Sequence, residues 1–146
     1  MSSLSQSLVV TTTIDRVADY LGDLTTSVQW DPHTVACRRL DHGSIGVGTR
    51  YAHTREFHGY EVTLDVEVVA FEPGTLVAWS GGHPMATGRE EFRFHPADGG
   101  GTVVDHTVEV TLAGIARLGE RMVPSVMKRI ADDGTDVLRE RLEQLC

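Results

Sequence analysis

The spacing of apolar positions changes twice along the chain and divides it into three parts. "SLVVTTTI", residues Ser7 to Ile14, is short and β-branched, which favours an extended strand. Asp15 then stands where it would cap "DRVADYLGDL". There Val17, Leu21 and Leu24 recur at helical spacing, so a short helix is expected, weakened at Gly22. "TTSVQWD" is expected to add one more turn before Pro32, because the residue preceding a proline is pushed out of the α region.

From Val35 to Leu112 the pattern is strand after strand. "VACRRLD" runs into the glycine-bearing turn "HGSIGVG", and "TRYAHTREF" follows, ending near Gly59. "YEVTLDVEVVAF" alternates cleanly. Tyr60, Val62, Leu64, Val66 and Val68 fall on one face and Glu61, Thr63, Asp65 and Glu67 on the other, as in an antiparallel sheet with one buried side. "EPGT" is a turn, "LVAWS" a strand closed by "GGHP", "TGREEFRFH" a strand, "PADGGG" a hairpin turn and "TVVDHTVEVTL" the last strand.

After Leu112 the period becomes helical. Ile115, Leu118, Met122, Val126, Ile130, Leu138, Leu142 and Leu145 recur in steps of three and four, broken only where Gly134 replaces a side chain. One amphipathic helix from Ile115 to Leu145 is expected. Pro124 is a candidate kink and "DDGT" a candidate break, but the stripe resumes in phase at Leu138, which favours continuity. The sheet has one apolar face and this helix carries the large apolar stripe available to cover it. The expected fold is therefore α+β, a curved antiparallel sheet wrapped around a long C-terminal helix, with short helices after the first strand. Such a sheet curls more than one helix fills, and the gap is a ligand site.

Four stretches carry a resemblance: "VADYLGDLTTSVQWDP", "IGVGTRYAHTREFHG", "VVAFEPGTLVAWSG" and "GGTVVDHTVEVTLAG". With the order of elements, they resemble the START-like (SRPBCC) superfamily and its helix-grip fold, in particular the polyketide cyclase/dehydrase and lipid-transport branch. The resemblance spans nearly the whole chain. It implies a deep cavity for hydrophobic small molecules. Members include aromatase/cyclases, lipid-transfer proteins, ligand sensors and toxin-like proteins, and no catalytic motif transfers residue by residue.

Composition narrows the partners. The 146 residues suit one domain, 1–146, and 40% hydrophobic with 23% charged residues is an ordinary globular balance. With 13 Lys+Arg against 21 Asp+Glu, the net charge is −8 and no basic run offers a face to nucleic acid. No apolar run approaches the roughly 20 residues of a membrane span, which argues against integral membrane association. No signal peptide is visible, so a cytoplasmic location is expected. Cys37 and Cys146 form no disulfide framework and no C-x-x-C. The seven histidines have no metal-ligand spacing, and "GVG" lacks the rest of a dinucleotide motif, so no metal or cofactor is expected. The oligomeric state is open.

Polar residues on an apolar parity mark the candidate site, because burying them unpaired is costly. Tyr51, His53, Arg55 and Phe57 share one parity, Glu90 shares another with Phe92 and Phe94, and His106 lies among Val104, Val108 and Val110. An inward Arg55 is expected to pair with Glu90, leaving His53 and His106 to titrate in the cavity. A histidine is suited to take a proton beside a carbonyl and an arginine to steady the resulting enolate. His53, Arg55 and His106 are thus the catalytic candidates. The competing reading makes Arg55–Glu90 an internal tether and the histidines satisfied core. Trp30 is either the lip of the cavity or a plug, and Trp79 is expected to pack. Met122, Met127 and Val126 on the long helix are lining or core, and Gly134 leaves a notch. The ligand-lining set is thus Trp30, Tyr51, His53, Arg55, Phe57, Trp79, Glu90, Phe92, His106, Met122 and Val126. The leading expectation is a binding module for a hydrophobic or aromatic, lipid- or polyketide-like molecule. The alternatives are a polyketide cyclase, aromatase or dehydratase, and a toxin-like interaction protein with a vestigial cavity.

Overall fold

The computed structural model describes residues 1–57 and 59–145, with Phe57 described in its backbone only. Strand β1 (Ser2–Val10) leads through helix α1 (Ile14–Leu21), a 3-10 turn (Leu24–Thr26) and helix α2 (Ser27–Trp30) to β2 (Thr34–Arg39). Five strands follow: β3 (Arg50–Phe57), β4 (Tyr60–Glu72), β5 (Leu76–His83), β6 (Ala86–Pro96) and β7 (Thr102–Leu112). A 3-10 segment (Gly114–Met122) then precedes the long helix α3 (Val123–Glu143). All seven strands form one antiparallel sheet in the order β1-β7-β6-β5-β4-β3-β2, so the α1–α2 segment bridges the two edge strands. The sheet bends at irregularities in β2 between Thr34 and Ala36 and in β4 between Val68 and Ala70, where an extra residue sharpens the twist.

The concave face can be followed through the pairing. Leu4↔Val108, Glu90↔Val108, Trp79↔Glu90, Val68↔Trp79, Tyr51↔Val66 and His53↔Leu64 are cross-strand partners on one side. Val17, Leu21, Leu24, Trp30, Leu138 and Leu142 close over that side and join Tyr51, Val68, Trp79, Phe92 and Val104 in the core. β3 pairs with β4 without a bulge, so the parity that turns His53 and Arg55 inward holds.

Several expectations need correction. β1 begins at Ser2 and ends at Val10, because its partner β7 runs to Leu112 and continues the ladder to Val110. Thr13, not Asp15, is the cap position of α1, and Asp15 lies in the first helical turn. "GGHP" does not close β5, which runs to His83 with Gly81 and Gly82 still paired to β6. On β4 the inward parity is as expected, yet Tyr60 is 76% exposed and Val62 is also exposed, because the strand overshoots the elements that cover Val66 and Val68.

The C-terminal helix is continuous through Gly134 but does not start at Ile115. Pro124 sits in the first turn of α3. Lacking an amide hydrogen, it cannot extend an α ladder from the preceding turn, so it begins the helix rather than kinking it. Ile115, Leu118 and Met122 therefore lie on the 3-10 segment and are exposed, Leu118 at 85%. Only the distal part of the stripe is core.

That distal end is tightly held. Leu138 and Leu142 are buried, Thr12 Oγ1 donates to the Leu142 carbonyl, the Thr11 amide donates to Glu143 Oε1 at 2.7 Å, and Arg141 Nε donates to the Gln29 carbonyl at 3.1 Å. Leu142→Ala is expected to lower stability by about 2–5 kcal/mol, read as a reduced urea midpoint at an unchanged slope. A change of only a few tenths would show that α3 is not anchored there.

Candidate functional site

Between the concave face and α3 lies a cavity of about 640 Å³. Its apolar wall comes from Leu4 and Leu8 of β1, Leu64 and Val66 of β4, Val108 and Val110 of β7, and Met127, Ile130 and Leu138 of α3. The volume exists partly because Gly81 and Gly88 face each other across β5 and β6 and leave that patch of sheet bare. Gly81 could hardly be otherwise. A Cβ there would lie 2.4 Å from the Asp65 carbonyl oxygen. Met122 and Val126 line the space and stay exposed, so the start of α3 forms its mouth.

Six ionisable residues line the same space: Asp31, His53, Arg55, Arg89, Glu90 and His106. Arg89 pairs with Glu91 at 3.2 Å and stands apart from the other five. Those five are organised in two linked groups. In the first, Arg55 Nη2 lies 3.1 Å from Asp31 Oδ2, and the Thr34 hydroxyl reaches both Asp31 Oδ2 at 2.8 Å and His53 Nε2 at 2.9 Å. A threonine hydroxyl has one hydrogen, and an Asp31 carboxylate that already receives Arg55 and the His33 amide can only accept. Thr34 therefore donates to Asp31 and accepts from His53, which places the His53 proton on Nε2 and the lone pair on Nδ1. In the second group His106 Nε2 lies 2.6 Å from Glu90 Oε2, and the His106 ring stacks on Phe92 with centroids 4.2 Å apart and planes 11° from parallel. The expected Arg55–Glu90 tether is thus replaced by two pairs, Arg55–Asp31 and Glu90–His106. Asp31 at the end of α2 comes within reach of Arg55 because α2 folds back over the sheet.

The electrostatics follow from this arrangement. Burial, reinforced by the Arg55 charge, pushes the His53 imidazolium pKa down against the pull of Glu90 and Asp31, so His53 favours the neutral form. Burial would push the Glu90 carboxyl up. The His106 hydrogen bond and the charges of His106, Arg55 and His53 outweigh it and hold Glu90 below the usual carboxylate range. Its side chain keeps 28% of its surface accessible, which fits a carboxylate opening onto a cavity rather than one sealed in the core. Burial pushes the Cys37 thiol up to about 11, which leaves it a poor nucleophile.

The aromatic residues form a wall behind the polar groups. Trp30 is almost wholly buried, lines the cavity, donates from Nε1 to Thr26 Oγ1 at 3.1 Å, and meets Phe92 edge-on at 5.5 Å. Trp79 meets the same ring edge-on at 5.9 Å. Among the described residues, no three of His, Cys, Asp and Glu are grouped to hold a metal ion, and no helix is long and apolar enough to cross a membrane.

Comparison with known proteins fits this architecture. The sequence model of the family described as polyketide cyclase / dehydrase and lipid transport matches residues 1–143. The chain belongs to that family. Its fold is similar to that of the Zhui aromatase/cyclase from Streptomyces sp. R1128, with TM-score 0.80 at 15% identity over 98% of this chain and 94% of that one. A START superfamily protein from Mycobacterium smegmatis gives TM-score 0.73 at 15% identity over 99% of both chains. The di-domain ARO/CYC StfQ from the steffimycin biosynthetic pathway gives 0.74 at 16% identity over 97% of this chain and 49% of that one. At these identities the likeness is one of fold. No curated protein matches the sequence.

Within this polyketide cyclase/dehydrase-family cavity, Trp30, His53, Arg55, Trp79, Glu90, His106, Met122 and Val126 are all brought to the lining. Two expected residues are not. Tyr51 shares the inward parity but is fully buried in the core, where burial first, with the Asp23 charge, pushes its phenol up to about 12. Phe92 is likewise sealed, behind Trp30, Trp79 and His106. The Phe57 side chain lies outside the described residues. Trp30 is neither an exposed lip nor a plug of a filled core; it is inner wall. Asp31 and Thr34 were missed. The spacing Asp31-x-x-Thr34 was visible in the sequence, but only the β2–β3 register sets Thr34 beside Arg55 and within reach of His53.

The two pKa directions have one consequence for stability. His53 and Glu90 each have a folded-state pKa below the unfolded value. Each therefore contributes stability above its unfolded pKa and loses it as pH falls through the folded one, from 6.5 downward for His53 and from 4.5 downward for Glu90. Relative to His53→Gln, the unaltered protein is expected to lose stability as pH falls below about 6.5 in urea titrations. Parallel curves for the two proteins would remove His53 from that account.

Proposed function

We propose that the chain binds a hydrophobic small molecule, lipid- or polyketide-like, between the sheet and α3. The observation that carries this reading is an open cavity of about 640 Å³ whose walls are apolar and aromatic and whose polar groups are few and convergent. Ligand sites of small molecules span roughly 300–1,000 Å³ and have that composition. Membership of a family described by polyketide cyclisation, dehydration and lipid transport supports the same class of ligand. An interaction protein with a vestigial, filled interior loses its support from the open volume.

A second reading has one observation in its favour. His53, Arg55 and the Glu90–His106 pair line the same cavity, and the solved structures whose fold this chain shares include aromatase/cyclases. In that reading His53 Nδ1 takes a proton from the carbon between two ketones, Arg55 faces the enolate oxygen, and the enolate carbon attacks a carbonyl further along the chain. That carbon–carbon bond closes the ring, the new alkoxide takes back the proton held by His53, and loss of water from the resulting aldol would move the ring towards aromaticity.

Nile red, an uncharged probe that brightens in apolar surroundings, is expected to bind saturably at about one molecule per chain. Val108→Trp, which puts an indole into the space opposite Glu90, is expected to reduce that binding at least about tenfold while leaving the circular dichroism spectrum intact. Absence of saturable binding, together with no hydrophobe retained in native mass spectrometry, would falsify the cavity reading. Turnover of a poly-β-keto thioester that is lost in His53→Ala would favour the enzyme.

A further inference from the structure

The ligand's polar end can be deduced from which hydrogen-bonding valences the protein has already used. This step rests on the cavity reading above and specifies the ligand class. Arg55 is engaged by Asp31, the His53 Nε2 proton by Thr34, and the His106 Nε2 proton by Glu90. Three acceptor atoms are left over. They are Glu90 Oε1 and His53 Nδ1, and with its proton on Nε2 His106 leaves Nδ1 as a third; none has a protein partner among the described residues, and all three side chains line the cavity. None of these atoms is sealed away from the open space, unlike the Tyr51 hydroxyl and the donor Trp79 Nε1, which are buried without a hydrogen-bond partner. The fixed charges at this end are two carboxylates, Asp31 and Glu90, against one guanidinium, Arg55, because the Arg89 guanidinium is taken up by Glu91, 3.2 Å away.

We propose that the cavity selects an uncharged ligand bearing a hydroxyl, which donates to Glu90 Oε1 or His53 Nδ1, and that it discriminates against ligands ending in a carboxylate. A carboxylate would bring a negative charge and no donor to a wall that offers acceptors. An ether or hydrocarbon of the same shape would fill the apolar wall but leave Glu90 Oε1 desolvated without a partner, which carries the cost of an unmet buried acceptor. A hydroxyl restores that bond. The apolar remainder of the ligand lies against Trp30, Trp79 and the valines of β7.

Three probes of one shape separate these terms: 2-naphthol, 2-methoxynaphthalene and naphthalene-2-carboxylate, titrated near pH 7 and followed by two-dimensional NMR of the intact chain. The naphthol is expected to bind at least about tenfold more tightly than either of the others, the size of one hydrogen bond to a charged acceptor. In Glu90→Gln the gap between naphthol and naphthoate is expected to shrink to about threefold or less, because the repelling charge is gone and the amide can donate. Naphthoate binding as tightly as naphthol to the unaltered protein, or the methyl ether matching naphthol, overturns the ligand class while leaving the cavity reading intact. An unchanged gap in Glu90→Gln overturns the assignment of Glu90. If none of the three binds, the cavity reading falls and this inference with it.

Discussion

A seven-stranded antiparallel sheet curls around more space than one helix can occupy, and the rest of the structure answers to that mismatch. The helix is held at its distal end, where Leu138 and Leu142 are buried and Thr11 and Thr12 bond to its last turn. It cannot be held equally well along its whole length, because the concave face opens away from it. The near end is therefore left standing over a void, and the apolar residues that precede it remain in water. Cavity and mouth are thus the residue of a packing problem solved at one end only.

Polar groups inside such a space are tolerated on condition that their charges are matched and their hydrogen bonds made. The two linked groups meet this condition economically. Asp31 gathers Arg55, Thr34 and the His33 amide, and Glu90 takes His106, whose ring is stiffened by stacking on Phe92. A fully satisfied network would be inert scaffolding. This one keeps an oxygen and two nitrogens in reserve beside an apolar wall, the arrangement expected where a guest completes the network. Whether the guest is only held or also transformed depends on how closely its reacting carbon approaches the free His53 nitrogen.

Much of this was legible in the sequence. The clean alternation of β4 and the change to helical spacing after Leu112 fixed the order of elements, and parity alone turned His53, Arg55, Glu90 and His106 inward. Parity could not reveal how far a strand extends beyond its cover, which is why Tyr60 and Val62 read as core and are exposed. Nor could it separate a residue that faces the concave side from one that faces the cavity. Tyr51 and His53 share a face, but the turn and helix between β1 and β2 seal the first and not the second. The partner swap, Arg55 to Asp31 and Glu90 to His106, was hidden for a related reason. The Arg55–Asp31 half depends on where the α1–α2 bridge lands, a long-range docking that no local pattern encodes, and the Glu90–His106 half on the β6–β7 register, which sets Phe92 opposite His106 and Glu90 diagonal to it. Pro124 misled because a proline inside an apolar periodicity reads equally as a kink or as a start.

The bare patch on the sheet has a further meaning for how such a container could change its contents. Gly81 is locked by the neighbouring backbone, but its partner Gly88 is not: a Cβ at Gly88 would meet only the Glu109 carbonyl oxygen, at an ordinary 3.7 Å. Side chains of increasing size could be introduced at this one position without disturbing the strand, each shortening the chamber by a step. Gly88 is in that sense a dial on guest length, and descendants of this chain could diverge in what they carry by turning it while every charged group stays where it is.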